Sequence, residues 1–384
     1  MDKLNEIKSN FFEQDIPLIS FIIPIYNTEL YLLETLNCLL VNGYAENKLI
    51  EIIIVDDGSK DNSSKIIKNW IEKHNKLLVK FIQQENQGLS AARKKGLSES
   101  CGKYIGFCDS DDRIDLNVYI KMAKQAQNND CDIAICRSEV FEHNTGISYD
   151  FYDTNIWDSI LENKTLLVTS SFAEPRIFRL EPNANTRLLK REFLISNKIE
   201  FPLGLHYEDL PVHIKENALA GKILLLNESG YFYRVNRPGK ITDEKSEKRF
   251  DILKIANLAF TEINTSILSV EAKIYAVILM IRMVYWCGSE TLNNDRKRFY
   301  KEACELFSKN ITQSFFKTFS LYAEDKEIIL LAALINRKYT FLSLFSSNVK
   351  GAKIYALGLI FNSTIRKIIF PKLLKKLIIK IKGK

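Results

Sequence analysis

The sequence predicts an α/β protein: a mainly parallel sheet with helices on both faces, followed by an α-helical C-terminal region. Short apolar, β-branched runs alternate with amphipathic segments of helical length from Leu18 to Gln127. Three of those runs end in polar clusters, Tyr26-Asn27, Asp56-Asp57-Gly58 and Asp109–Asp112. From Glu247 the pattern changes to long helical stretches with few glycines.

Taken in order, residues 1–16 read as a polar lead-in. Leu18–Ile25 is a strand, and Thr28 stands at the N-cap of a helix reaching about Val41. Glu51–Val55 is a second strand, followed by a helix opened by Asp61 or Asn62 and carrying Ile66, Ile67, Trp70 and Ile71. Leu77–Ile82, a helix over Ala91–Ser100, the strand Lys103–Cys108 and a helix over Leu116–Gln127 complete a βαβαβαβ series. Cys131–Cys136 is a further strand. Residues 137–180 read as loop-rich, with exposed aromatics at Phe141, Tyr149, Phe151, Tyr152 and Trp157. Pro182–Leu194 gives a strand or turn and then a short helix, and Pro211 begins a helix through Ala220. Strands over Lys222–Leu226 and Tyr231–Val235 precede helical stretches near 247–267, 270–287, 294–309 and 314–346.

Right-handed crossovers bring the carboxyl ends of parallel strands to one edge of the sheet, where ligands bind in open α/β folds. The three polar clusters then form one site. Asp109, Asp111 and Asp112 crowd a single turn. Asp109 and Asp111 could offer oxygens to one hard divalent ion that also holds phosphates, whereas Asp112 or Asp115 could equally cap the following helix. There is no G-x-G-x-x-G after the first strand and no G-x-x-x-x-G-K-[ST] anywhere, so no glycine-rich loop cradles phosphate. Charge neutralisation falls to a metal and to cations such as Arg93. Glu208 and Asp209 follow a Pro/Gly turn at a helix start, a place for simple capping or for a catalytic carboxylate. Arg234, Arg237 and Lys240 form a basic turn, either a phosphate lid or a solvated loop.

Composition bounds the rest. A chain of 384 residues, 46% hydrophobic and 26% charged, is long enough for two domains. Seven cysteines without zinc spacing and only four histidines argue against a disulfide framework or structural zinc site, and for a reducing cytosol. Met1–Asp15 is too polar and acidic for a secretory signal. The longest apolar runs fall well short of the roughly 18 residues a membrane span needs. The net charge of +7 resides in the tail: twelve Lys and Arg, and no acid, follow Glu327. Nucleic acid is therefore not implicated. Leu373, Leu374, Leu377, Ile378 and Ile381 fall on one face of a lysine-rich terminal helix, suited to an anionic membrane surface or to packing on the helical domain.

Five stretches, in order and at matching spacing over roughly residues 18–240, resemble the family 2 glycosyltransferases of GT-A fold. They are Ile23–Asn27, Ile54–Ser59, Glu85–Arg93, Phe107–Asp112 and Tyr207–Leu210. The resemblance implies inverting transfer of a sugar from a nucleotide-diphosphate donor, most often UDP-linked, to an acceptor hydroxyl. It implies a nucleotide-sugar pocket of Pro24, Tyr26, Asn27, Asp56 and Asp57, with Asp57 on the base, and Asp109 and Ser110 near the ribose and donor. Arg93 would hold the acidic loop or the phosphates, Asp111 would bind Mn²⁺ or Mg²⁺, and Asp209 would be the general base with Glu208 beside it. Thr186-Arg187 replaces the family's frequent Lys-Leu, and Lys240 stands where serine is common, so specificity does not transfer.

The domains expected are the lead-in, a GT-A catalytic domain over 17–243, a helical domain over 244–363 and a basic amphipathic tail over 364–384. Relatives of this kind extend capsule, lipopolysaccharide or teichoic acid glycans at the inner face of the membrane. The expected partners are accordingly a UDP-sugar, a glycan or lipid-linked glycan acceptor, and the membrane surface through the tail; a homo-oligomer is compatible. The location implied is cytoplasmic and peripheral to the membrane. A non-catalytic nucleotide-sugar-binding or membrane-associated module is the alternative, disfavoured because Asp111 and Asp209 are both retained. An aspartyl-phosphate phosphatase is disfavoured by Arg113, where those enzymes need Thr or Val.

Overall fold

The structure, a computed structural model, describes residues 16–40, 49–237 and 246–346. The lead-in before Ile16, Lys240, the boundary near Asp243 and the basic tail lie outside the described residues. The chain forms two compact units, Met1–Gly204 with Val212–Gly239, and Leu205–Pro211 with Lys240–Lys384.

The first unit runs β1 (Ile19–Ile25), α1 (Leu32–Cys38), β2 (Ile50–Asp56), α2 (Ser63–Lys73), β3 (Leu78–Gln83), α3 (Leu89–Glu99) and β4 (Tyr104–Phe107). It continues through β5 (Arg113–Ile114), α4 (Leu116–Asn129), β6 (Ile133–Glu142), β7 (Ser148–Asp150), α5 (Thr154–Leu161) and β8 (Leu166–Thr169). β9 (Arg187–Lys190), α6 (Arg191–Ser196), α7 (Asp209–Leu219) and β10 (Ile223–Val235) close it, the first three residues of α7 belonging to the second unit.

The sheet has ten strands in the order β3-β2-β1-β4-β9-β6-β10-β5, with β7 on β6 and β8 on β10. The β3-β2-β1-β4 half is parallel, as expected. Beyond it the sheet is mixed, because β9 runs antiparallel to both β4 and β6. Along β1, Phe21 and Ile23 join one apolar cluster and Ile22 the opposite one; along β2, Ile52 and Ile54 oppose Ile53 and Val55. Both faces are covered, so these strands read as continuous apolar runs rather than alternating ones. Pro24 is tolerated inside β1 because pairing with β4 stops at Ile22↔Phe107, and its missing N–H faces that vacated side. Gly96 lets α3 lie against β1, since a Cβ there would stand 2.3 Å from Ile22 Cγ2.

Several local expectations are corrected. The helix after Thr28 begins only at Leu32, because the Thr28 carbonyl first closes a turn with the N–H groups of Tyr31 and Leu32, both at 3.0 Å. Of the two acids left open as the cap of α4, Asp115 is the one that caps it, accepting the Asn117 N–H at 2.9 Å. Helix α7 begins at Asp209, with Pro211 in its first turn rather than at its start. The two strands expected over 222–235 are one, β10, bent by register shifts between Leu226, Ser229 and Tyr231. Residues 137–180 hold more regular structure than expected, and Phe141 and Trp157 are core residues; Tyr149 and Tyr152 are exposed.

One buried polar network lies outside the strand edge. Arg187 of β9 pairs with Glu216 of α7, and its guanidinium also donates to Glu181 O (2.8 Å), Asn183 O (3.2 Å) and His213 Nδ1 (2.6 Å). Accepting at Nδ1 leaves the His213 proton on Nε2, which faces Phe178 O at 3.4 Å. Burial, and then the Arg187 charge, holds His213 well below its usual pKa.

The second unit is helical: α8 (Asp251–Thr265), α9 (Val270–Glu290), α10 (Asn293–Asn310), α11 (Gln313–Tyr322), α12 (Asp325–Ile335) and α13 (Tyr339–Phe345). The single helix expected over 314–346 is three. A capping box of Glu324 and Glu327 starts α12, and Arg337 at φ +55° turns the chain before α13. No helix among the described residues is long and apolar enough to cross a membrane.

Candidate active site

In the first unit the parallel register sets Ile25 beside Asp56 and Ile22 beside Phe107, so the turns after β1, β2 and β4 share one sheet edge. The turn after β2 is the most tightly held. Asp57 accepts from Gln84 Nε2 (2.8 Å), Gln87 N (2.9 Å) and Gly88 N (2.8 Å), which fastens the loop before α3. Gly58, at φ +76°, makes the turn that allows this. Asp56 accepts from Ser59 N (2.9 Å), Ser64 Oγ and Gln83 Nε2 (3.3 Å). Burial pushes its pKa up, but these hydrogen bonds outweigh burial and hold it low. Asp56 is thus occupied in joining β2 to α2 and β3. Asn27, in the left-handed region at φ +53°, bonds Ser59 and Lys60, and leaves Tyr26 47% exposed beside it.

The acidic turn after β4 divides its labour. Asp109 meets Arg93 at 3.4 Å and accepts from Asn185 Nδ2 at 2.8 Å; its side chain remains 31% exposed. Arg93 is buried, with its guanidinium over the rings of Phe107 (5.6 Å) and Phe201 (4.8 Å). Ser110 is buried. Asp111 forms an ion pair with Arg237. Asp112 is fully enclosed and accepts from Tyr231 OH and from Arg234 N at 2.7 Å. Burial and the neighbouring Asp109 charge push the Asp112 pKa up to about 7, against those two donors.

Arg234 is an anchor within the first unit. Its Nε donates to Asp111 O (2.6 Å), one terminal nitrogen to Glu34 (2.6 Å), and its guanidinium lies over Phe141 and Tyr31. Arg237 shares the Tyr31 ring at 5.3 Å. No role was assigned from the sequence to Tyr31, Glu34, Asn185 or Tyr231, because each acts through partners distant along the chain.

Glu208 and Asp209 belong to the second unit. Tyr207 precedes them in the left-handed region at φ +67°, which a bulky side chain rarely adopts without support. That support comes from the helical unit: Arg249 donates to Tyr207 OH (3.2 Å), Trp286 packs edge-on at 6.1 Å, and Asp251 accepts from His206 N (3.4 Å). Arg249 and Trp286 were also missed, lying outside every matched motif.

Among the described residues no group of three or more His, Cys, Asp or Glu is arranged to hold a metal unaided. Asp109 and Asp111 place two carboxylates on one turn, the number that Mg²⁺-type sites commonly combine with substrate phosphates.

A mainly parallel sheet whose strand ends carry Asp57 and an Asp-Ser-Asp-Asp turn, with antiparallel β9 set between β4 and β6, is the GT-A fold of nucleotide-sugar glycosyltransferases. The chain belongs to glycosyl transferase family 2, whose family model matches residues 20–176. It is 32% identical to the glycosyltransferase GlyG of Streptococcus pneumoniae serotype 4, over 58% of this chain and 72% of that protein. It is 34% identical to the glycosyltransferase GlyA of the same organism over 60% of this chain, a match spanning only 32% of GlyA. Among solved structures it resembles S. aureus TarS 1–349 in complex with UDP-GlcNAc, at a TM-score of 0.66 and 19% identity, covering 85% of this chain and 90% of that one.

Proposed function

We propose that this chain transfers a sugar, with inversion, from a UDP-sugar to a hydroxyl of a bacterial surface glycan such as a capsule, lipopolysaccharide or teichoic acid. The carrying observation is the turn after β4, where Asp111 sits in an ion pair with Arg237 while Asp109 keeps an open face. The TarS complex with UDP-GlcNAc supports UDP as the nucleotide. Similarity to the poly(ribitol-phosphate) β-N-acetylglucosaminyltransferase TarS, at 26% identity, supports a glycan acceptor.

In this reading Pro24, Tyr26, Asn27 and Asp57 line the nucleoside pocket, with Asp56 bracing the turn behind Asp57. Asp109 and Ser110 approach the ribose, and Arg93 holds Asp109. Asp111 would hold Mn²⁺ or Mg²⁺, which when bound neutralises charge on the diphosphate leaving group. Arg237, released from Asp111, supplies a second cation to that charge; Lys240 is assigned to the same lid, and Arg234 anchors it. An inverting displacement needs the acceptor hydroxyl to lose its proton opposite the leaving group, a task for one carboxylate. We assign it to Asp209, with Glu208 beside it. We further assign residues 17–243 to the catalytic domain, 244–363 to a helical domain and 364–384 to attachment at the inner membrane surface. Liposome co-sedimentation with and without 364–384 tests the last; equal binding would sink it.

The deciding experiment is a thermal-shift screen of nucleotide-sugars with and without Mn²⁺. A ligand at about 100 times its Kd stabilises by about 2.7 kcal/mol. The wild type should respond to a UDP-sugar with Mn²⁺, and Asp111→Asn should lose the Mn²⁺-dependent part. A wild type indifferent to every nucleotide-sugar overturns the reading.

A further inference from the structure

Asn185 lies in the short 3₁₀ turn Ala184–Thr186, ahead of β9, and is 1% exposed. Its backbone is held at both ends, with Asn183 Oδ1 accepting from Asn185 N at 2.8 Å and Asn185 O accepting from Tyr119 OH. The side chain is therefore delivered to a fixed place. There its Nδ2 donates twice, to Asp109 Oδ2 at 2.8 Å and to Tyr231 Oη at 2.9 Å. The Tyr231 hydroxyl spends its own proton on Asp112 Oδ2, so its oxygen must accept from Asn185. The direction of every hydrogen bond follows: Asn185 drives one donor into Asp109 and another, through Tyr231, into Asp112.

The amide orientation is dictated by chemistry. Turned over, it would set Oδ1 against the Asp109 carboxylate. As it stands, Oδ1 is buried and has no hydrogen-bond partner, an arrangement that proteins generally avoid. Two acceptors, one of them charged, require one uncharged group with two N–H bonds, and only a carboxamide supplies that. A buried unpaired oxygen beside a candidate ligand-binding carboxylate marks a position kept for what its nitrogen does.

We propose that Asn185 is a positioning residue for the donor site: its carboxamide orients the Asp109 carboxylate toward the nucleotide-sugar and ties it through Tyr231 to Asp112. This rests on the reading above in which Asp109 meets the donor. Arg93 steadies the other Asp109 oxygen at 3.4 Å, so the carboxylate has both oxygens directed while its open face meets solvent.

The test compares wild type, Asn185→Ala, Asp109→Ala and the double variant Asn185→Ala/Asp109→Ala for binding of UDP with Mn²⁺ by calorimetry, with thermal melting to show that each is folded. Asn185→Ala should bind UDP about tenfold more weakly than wild type. In the Asp109→Ala background the same substitution should change binding by less than about threefold, because no carboxylate is left there to orient. Wild-type-like binding by Asn185→Ala overturns the proposal, as does a loss of equal size in both backgrounds, which is what a purely structural residue would give. A wild type that does not bind UDP overturns the donor reading itself and this inference with it.

Discussion

Glu216→Ala should be among the most damaging single substitutions in the first unit. The Arg187 and Glu216 side chains are 1% and 2% exposed, so removing the carboxylate strands a guanidinium in the interior. Breaking one side of a buried pair costs about 3–5 kcal/mol. Arg187 keeps three acceptors, Glu181 O, Asn183 O and His213 Nδ1, which places the cost near the lower end, about 3 kcal/mol. Arg187→Met/Glu216→Leu removes both charges and leaves only neutral acceptors wanting, so it should be less destabilised than Glu216→Ala alone. The assay is urea unfolding by fluorescence in a Trp286→Phe background, where Trp70 and Trp157, both in the first unit, are the only tryptophans of the original three. With m near 3 kcal/mol/M, the midpoint should fall by about 1 M. A fall under about 0.3 M, or a double variant as unstable as the sum of its singles, would show that the two buried charges do not depend on each other.

Three further outcomes are expected. His213 has a folded pKa below its ordinary 6.5, so the unfolded chain takes up a proton the folded one refuses. Its contribution is complete above pH 6.5 and is lost as the pH falls, at about 1.4 kcal/mol per pH unit. Wild type should therefore lose stability against His213→Gln between pH 6.5 and 5, and parallel pH profiles would contradict this. Asp209→Asn should lower sugar transfer by about 10²–10⁴-fold while UDP affinity stays within about twofold; transfer within tenfold of wild type would remove Asp209 from the base role. Gly96→Ala should cost about 1–3 kcal/mol in thermal unfolding, because the added methyl meets Ile22 Cγ2 at 2.3 Å; an unchanged melting temperature would mean that α3 yields freely.

What the sequence made legible was whatever period and local chemistry could carry. The parallel half of the sheet was readable because β1 and β2 are short β-branched runs and β4 a short aromatic-rich one, all ending in polar clusters, and crossovers of fixed hand leave little freedom in assembling them. Asp57 and Asp111 stood out because carboxylates at strand ends are conspicuous. A strand or turn was read where β9 lies, but its antiparallel place in the sheet was not, since that depends on partners far along the chain. The division between Asp111 and Asp112 was equally hidden: both are aspartates, and only the approach of Tyr231 and Arg234 makes the second an interior group. The support of Tyr207 by Arg249 and Trp286 lay beyond reach for the same reason, being long-range contacts without a local signature.

The order of strands also imposes a schedule on synthesis. Among the described residues β5, directly after the acidic turn, pairs only with β10, and it is β10 that delivers Tyr231 and Arg234 to Asp112. At about 5–20 residues per second, a ribosome finishes the acidic turn roughly ten seconds before it makes the strand that closes it. During that interval Asp112 stands in water without its two partners, and β4 keeps an uncovered edge until β9 is made. A nascent chain halted before β10 therefore exposes the edge of β6 and has an acidic turn not yet closed, so the candidate site is completed only by the arrival of one late strand.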